Sequence, residues 1–141
     1  MKRGPGVAWL ESAVGDLRNI RYIQCDQFLT HVAAFHAQQC VEKCLKAVLI
    51  FMGTKVPKEH STIRLYALTG NIFAETLSPD LLTDLDDIYI DARYPGDLGL
   101  LPQGKPTLED VDEFYHFAES VFNQACLIVG VCESDFIEPQ A

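Results

Sequence analysis

The run from Phe35 to His60, FHAQQCVEKCLKAVLIFMGTKVPKEH, constrains this chain more than any other stretch. At about 100° per residue, Ala37, Cys40, Val41, Cys44, Leu45, Val48, Phe51 and Met52 share one wide apolar face, and Gln39, Glu42, Lys43 and Lys46 lie opposite. The spacing predicts an amphipathic helix of about four turns or more. On the same wheel Phe35 and Ile50 bracket the polar strip. A plain surface helix rarely has large apolar groups at both edges of its wet side. This one is expected to be the central helix of the fold, packed on its core face and touching a second surface on its polar face. Glu42 and Lys46, four residues apart, form a pair worth about 0.3 kcal/mol along an exposed helix. If Phe35 and Ile50 are covered, the polar groups between them have to be satisfied under that cover.

Punctuation places the other helices around it. Leu10, Ala13, Val14, Leu17 and Ile20 make an i, i+3, i+4, i+7 stripe that predicts a first helix from about Val7 to Gln24, slightly weakened by Gly15. Asp26 or Thr30 starts the second, carried to Met52, with Gly53 as a left-handed stop and Pro57 beyond it. Ser61 or Thr62 caps a short third helix through Leu65 and Leu68, ending near Gly70-Asn71. Ser78-Pro79-Asp80 is a strong helix start; Leu81, Leu82, Leu85, Ile88, Tyr89 and Ala92 form the buried stripe that follows, and Arg93-Tyr94-Pro95-Gly96 ends it. From Gly96 to Pro106 the chain reads as loop. Thr107 with Asp110 is a capping-box variant opening a fifth helix, Leu108 to Val131. No period-2 strand with hairpin turns is present. The expected fold is all-α, an antiparallel up-and-down bundle of four main helices plus a short extra helix. It is read as a single domain over residues 1–141, with its core at about 8–131 and a frayed acidic tail from 133 to 141.

Composition narrows the function classes. Five cysteines make an odd count without a CxxC pair, and Cys40 and Cys44 lie on the apolar face, as reduced core thiols of a cytoplasmic protein would. The beginning of the chain breaks any apolar run at Glu11, Ser12 and Asp16, and the longest apolar run, Ala47 to Met52, is too short to span a bilayer. A soluble protein without membrane contact is expected. The net charge of −9 opposes wholesale nucleic-acid binding. The charge is unevenly spread, however. Lys43, Lys46, Lys55, Lys58 and Arg64 stand against Glu59 alone in one segment, whereas Glu75 to Asp97 holds seven acids against Arg93. The basic segment suits an anion, an acidic partner, or the acidic segment itself.

Most motif-like spacings have a plain explanation. His36, Cys40 and Cys44 stack three soft ligands along a helix edge, but the cysteines face the core and no second Cys/His pair accompanies them, so neither a metal nor a cofactor is expected. Gly99 to Lys105 matches GxxxxGK, yet Pro106 replaces the magnesium-binding hydroxyl and no strand precedes it. Asp84, Asp86, Asp87 and Asp91 mostly oppose the leucine stripe and read as a solvated face. Two features remain: the strip Gln39, Glu42, Lys43, Lys46, and Ala92-Arg93-Tyr94-Pro95 at a helix end. There Arg93 either clamps a phosphate while Tyr94 stacks on a base, or pairs with Glu42 or an acid of the fourth helix.

In order and spacing, AVGDL at Ala13 to Leu17, then Phe35, Gln38-Gln39, Glu42-Lys43, Leu45-Lys46-Ala47, Gly53, Pro57, His60 and Ala92-Arg93-Tyr94-Pro95 resemble a HEPN domain, over about Trp9 to Val129. The resemblance implies a helical bundle that forms a homodimer or pairs with a nucleotidyltransferase, often in toxin-antitoxin-like operons. It also implies nucleotide or RNA binding. Many members are metal-independent ribonucleases whose signature is Arg, four to six residues, then His, contributed across a dimer. Arg93 matches the arginine position, but Leu98, Gly99 and Leu100 stand where the histidine belongs. A non-catalytic binder of nucleotide or RNA phosphate is therefore expected, using Arg93, Tyr94, Gln39, Lys43, Lys46 and His60. The alternative is an atypical ribonuclease with Arg93 as clamp and His60 or His116 as acid/base.

Overall fold

The chain forms five α-helices among the residues that the computed structural model describes, 4–92 and 104–137, without the side chains of Asp91 and Ala92. They are α1 (Pro5–Ile23), α2 (Thr30–Phe51), α3 (Thr62–Leu68), α4 (Pro79–Ala92) and α5 (Leu108–Val129). The architecture is an all-α up-and-down bundle of α1, α2, α4 and α5, with short α3 between α2 and α4, and no strand among the described residues.

Helix α2 packs against all four others, because its apolar arc is wide enough to meet α5, α3 and α4 while its remaining edge meets α1. Leu45, Val41, Ala37, Val48 and Leu49 are fully buried in one core with Leu10 and Leu17 of α1, Leu85 and Ile88 of α4, and Phe122 of α5. The approach of α1 depends on Gly6, since a Cβ there would stand 3.1 Å from the Ala47 carbonyl oxygen and close to Ile50. Helix α5 runs parallel to α2, as alternate members of such a bundle do, and Cys40 Sγ points at the Ala118 carbonyl.

Local chemistry fixes the ends. Asp26 caps a 3-10 turn over Gln27–Leu29 through the Phe28 N–H, and this turn leads directly into α2. Gly53, with φ 83°, closes α2: its N–H reaches the Ile50 carbonyl and the Thr54 N–H reaches Leu49, the Schellman pattern. Ser61 caps α3, and Thr107 with Asp110 forms the expected capping box of α5.

Several expectations are corrected. Phe51 is 54% exposed and Met52 41%, because α2 runs past its neighbours there. Gly130, left-handed at φ 90°, stops α5 before Val131. The segment after it is docked at its start: Glu133 opens a 3-10 turn and accepts a hydrogen bond from the Arg21 guanidinium at 2.8 Å, while Arg21 also donates to Tyr115 Oη at 2.7 Å. Residues 138–141 lie outside the described residues, as does the helix stop at Arg93 to Gly96. Cys25 and Cys132 are exposed, and only Cys40, Cys44 and Cys126 are core thiols. Finally, Asp86 belongs to no solvated face. Its carboxylate reaches from α4 to the start of α3, accepting from the Thr62 N–H at 2.6 Å, Thr62 Oγ1 at 2.8 Å and Ser61 Oγ at 2.6 Å. Asp84 is partly buried, which raises its pKa together with Asp87 and Asp80.

Two measurements check this packing. Burial pushes the Cys44 thiol well above its ordinary range and Cys126 up to about 12. A thiol reagent is therefore expected to label Cys25 and Cys132 in the native protein and the other three cysteines only on unfolding. Asp86→Ala, which strips α3 of its charged cap, is expected to lower stability by about 2 kcal/mol in urea denaturation.

Candidate functional site

Gln38, Glu42 and Lys46 lie along one side of α2 and are all buried, the last two at 5% exposure. Removing an ion pair from water costs several kcal/mol per ion unless the remaining hydrogen-bonding positions are filled. Here they are filled. Glu42 Oε2 accepts from Lys46 Nζ at 3.0 Å, Oε1 accepts from Gln38 Nε2 at 3.1 Å, and His60 Nδ1 lies 3.3 Å from both oxygens. Gln38 also donates to the His60 carbonyl and accepts from Gln39 Nε2 at 2.7 Å. On the α1 side the Lys46 ammonium stands 5.3 Å from the Trp9 ring centroid. Because the carboxylate accepts, the proton of the shared contact belongs to His60 Nδ1, which leaves Nε2 for a further partner.

The same histidine ends a column of aromatic rings. Phe35 of α2 and Tyr89 of α4 stack with centroids 6.4 Å apart and planes 12° apart, and Tyr89 and His60 stack at 4.8 Å and 21°. Helix α4 thus brings its C-terminal half beside the beginning of α2. Past His60 opens a cavity of about 350 Å³ lined by Glu59, His60, Ser61, Arg64, Asp86, Tyr89 and Ile90. The Glu59 carboxyl is held below its ordinary range, chiefly by the Ser61 N–H and then by that of His60. Its second oxygen pairs with Arg64 at 3.5 Å.

A separate cluster joins α1 to α2. Buried Asp16 accepts from Lys43 Nζ at 2.8 Å through one oxygen and meets His36 Nδ1 at 2.9 Å through the other. His36 is thereby turned away from any joint ligand set with Cys40 and Cys44. Among the described residues no group of three or more His, Cys, Asp or Glu is arranged to hold a metal ion.

The structure brings together part of the set expected from the sequence. His60 and Lys46 share Glu42, and Gln39 joins them through Gln38. Lys46, however, is buried with its ammonium committed to Glu42, and Lys43 is committed to Asp16. His116 stands on the exposed face of α5, its Nδ1 2.8 Å from the Asp112 carbonyl, and does not line the His60 cavity. Arg93 and Tyr94 lie outside the described residues. Of the run from Gly99 to Lys105, only Gly104 and Lys105 are described, and Lys105 Nζ is held by the carbonyls of Gln27 and Phe28. A second cavity, of about 480 Å³, lies between the beginnings of α2 and α5, lined by Gln27, Thr30 and the run from Pro106 to Glu109. Sequence reasoning passed over Tyr89, counted as one more member of an apolar stripe, and Arg64, counted only within a basic segment. The signal available was the aromatic character of Phe35, His60 and Tyr89; nothing in their spacing says that the rings are parallel.

A bundle of four long helices with a short inserted one, centred on a helix that buries a carboxylate under a half-exposed histidine, defines a class of small helical domains. Within it the chain belongs to the HEPN domain family, whose model matches residues 7–128. Among solved structures it is similar to the crystal structure of ST0689, an archaeal HEPN homologue, with 27% identity and a TM-score of 0.61, over 92% of this chain and 99% of that one. No curated protein matches it. No helix among the described residues is long and apolar enough to cross a membrane.

The buried pair makes a stability prediction. Glu42→Ala leaves the Lys46 ammonium buried without its partner and is expected to cost about 3 kcal/mol or more, whereas Glu42→Leu combined with Lys46→Met removes both charges and should recover most of that loss. Urea midpoints of the three proteins decide the matter; a double variant as unstable as the single one would show that packing, and not desolvation, sets the cost.

Proposed function

We propose that this protein is a non-catalytic binder of a nucleotide or RNA phosphate, working in the cytoplasm as a homodimer, as the partner of a minimal nucleotidyltransferase in a toxin-antitoxin-like module, or as both. Membership of the HEPN family supports the ligand class. The observation that carries the reading is His60: its Nδ1 is anchored on buried Glu42, its ring is stacked on Tyr89, and its remaining surface faces a cavity beside Arg64. Such a ring is pre-organised, so little is lost in ordering it when a ligand arrives. Arg93 and Tyr94 are the proposed clamp and stacking group at the end of α4. Gln39, Lys43 and Lys46 support this wall, with Lys46 acting through Glu42. Phe35 and Ile50, both only partly buried, flank this polar strip, and they are met within the chain by Tyr89 of α4 and by α1 at Gly6.

One observation favours a second reading. A histidine whose Nδ1 is held by a buried carboxylate keeps Nε2 available for proton transfer, so an atypical metal-independent ribonuclease with Arg93 as phosphate clamp and His60 as acid/base is the alternative. His116, held by its own helix and open to solvent, lacks this support. The sequence pattern weighs against cleavage, since no histidine follows Arg93 at the family spacing.

Calorimetry with mononucleotides and short RNAs tests both. Arg93→Ala and His60→Ala are each expected to weaken binding about tenfold or more, equivalent to about 1.4 kcal/mol, with the helical fold retained at the assay temperature and no RNA cleavage in EDTA. Unchanged affinity in both variants removes the binding site. Cleavage by the native protein that disappears in both variants replaces the first reading with the second.

A further inference from the structure

We propose that the outer face of His60 seats one unpaired nucleobase as the fourth ring of the Phe35–Tyr89–His60 column, which makes single-stranded RNA, and not a phosphate group or a duplex, the chemistry recognised at this cavity. The inference rests on the nucleotide-binding reading above and specifies which part of the ligand enters.

The geometry supplies a platform. Phe35 and Tyr89 lie within 12° of parallel and Tyr89 and His60 within 21°, and the column ends on a histidine that is 51% exposed at its side chain. Phe35 and Tyr89 are fixed by two helices packed on one another, and the plane of His60 is fixed by both oxygens of Glu42 at 3.3 Å. An aromatic face that is rigid and half open is a surface on which a base stacks without reorganising the protein. Ile90, exposed and lining the same cavity, adds an apolar edge.

Electrostatics decide between base and phosphate. Among the described residues the cavity wall carries two carboxylates, Glu59 and Asp86, and one arginine, Arg64, which is paired with Glu59. Asp86 is filled by the hydroxyls of Ser61 and Thr62 and by the Thr62 N–H, so it stays in place as an acceptor. A phosphate inside would face both anions, whereas a neutral ring would not. The phosphodiester attached to the base is instead left at the rim, where the Arg64 side chain is 76% exposed and Lys58 is exposed nearby in sequence. In a duplex the faces of the bases are stacked on their neighbours, so only a single strand, bulge or loop presents a free face.

The test uses short single-stranded RNAs carrying one 2-aminopurine at successive positions, the same RNAs annealed to their complements, and the native, His60→Ala and His60→Phe proteins. Binding is read by anisotropy and stacking by quenching of the 2-aminopurine. The expected result is quenching at one or more positions of the single strand by the native protein and none in the duplex. His60→Ala should bind about tenfold more weakly without quenching, and His60→Phe, which keeps a flat ring but loses the Nδ1 anchor on Glu42, should keep the quenching while binding more weakly than the native protein. Native binding with no quenching at any position, equal quenching of the duplex, or His60→Phe behaving as His60→Ala overturns the base seat; in each case mononucleotide binding that still depends on Arg93 leaves the broader reading standing. Failure of the native protein to bind either RNA or mononucleotide overturns both.

Discussion

Glu42 lies where α2 is covered by α1 on one side and by the segment leading into α3 on the other, and its buried carboxylate gathers donors from Lys46, Gln38 and His60. A carboxylate removed from water has to be satisfied by the protein, and each group that satisfies it is thereby positioned. Lys46 is pulled inward beneath Trp9, Gln38 bridges to the main chain at His60, and His60 is turned so that its ring continues the Phe35–Tyr89 stack. The loop between α2 and α3 would otherwise be an exposed basic connection. Through Glu42 it becomes a fixed part of the bundle.

Asp86 does comparable work from the opposite helix. It holds the first turn of α3 against α4 and so sets the far wall of the cavity that His60 faces. Two carboxylates thus define one concavity without themselves being open to an incoming group, because their lone pairs are occupied by hydroxyls, amides and an ammonium. Among the described lining residues, the imidazole, the apolar edge of Ile90 and the exposed guanidinium of Arg64, paired with Glu59, stand open to it. This combination suits a flat, polar-edged ring attached to an anion better than it suits an anion alone.

Much of the fold was legible because its signals are local. The leucine and alanine stripes, Gly53 after α2, Ser61 before α3, Ser78-Pro79 before α4 and the Thr107–Asp110 box before α5 each act within a turn or two of chain, and each sits where the spacing put it. The misses share the opposite property. Phe51 and Met52 fall on the core face of the wheel but outrun the helices that would cover them. Glu133 looked like part of a frayed tail until Arg21, 112 residues earlier, proved to hold it. Lys43 and Lys46 read alike as members of one polar strip expected to meet a second surface, and the sequence does not say that one meets Asp16 of α1 and the other Glu42 beneath Trp9. For the candidate site, His60 was identifiable from its place in the family pattern, whereas Tyr89 and Arg64 acquire meaning only from what stands opposite them.

By itself the sequence determined that this chain is a bundle of four long helices and a short one with α2 at its centre, since apolar periodicity and capping chemistry depend on neighbours a few residues away. The tertiary structure alone decided which polar groups are used up and which are left to work. The sequence places a histidine, a glutamate and a tyrosine at positions 60, 42 and 89. Only packing α4 beside α2 makes them one stacked, hydrogen-bonded unit with an open face, because burial and ring orientation are properties of the assembled core and not of any segment within it.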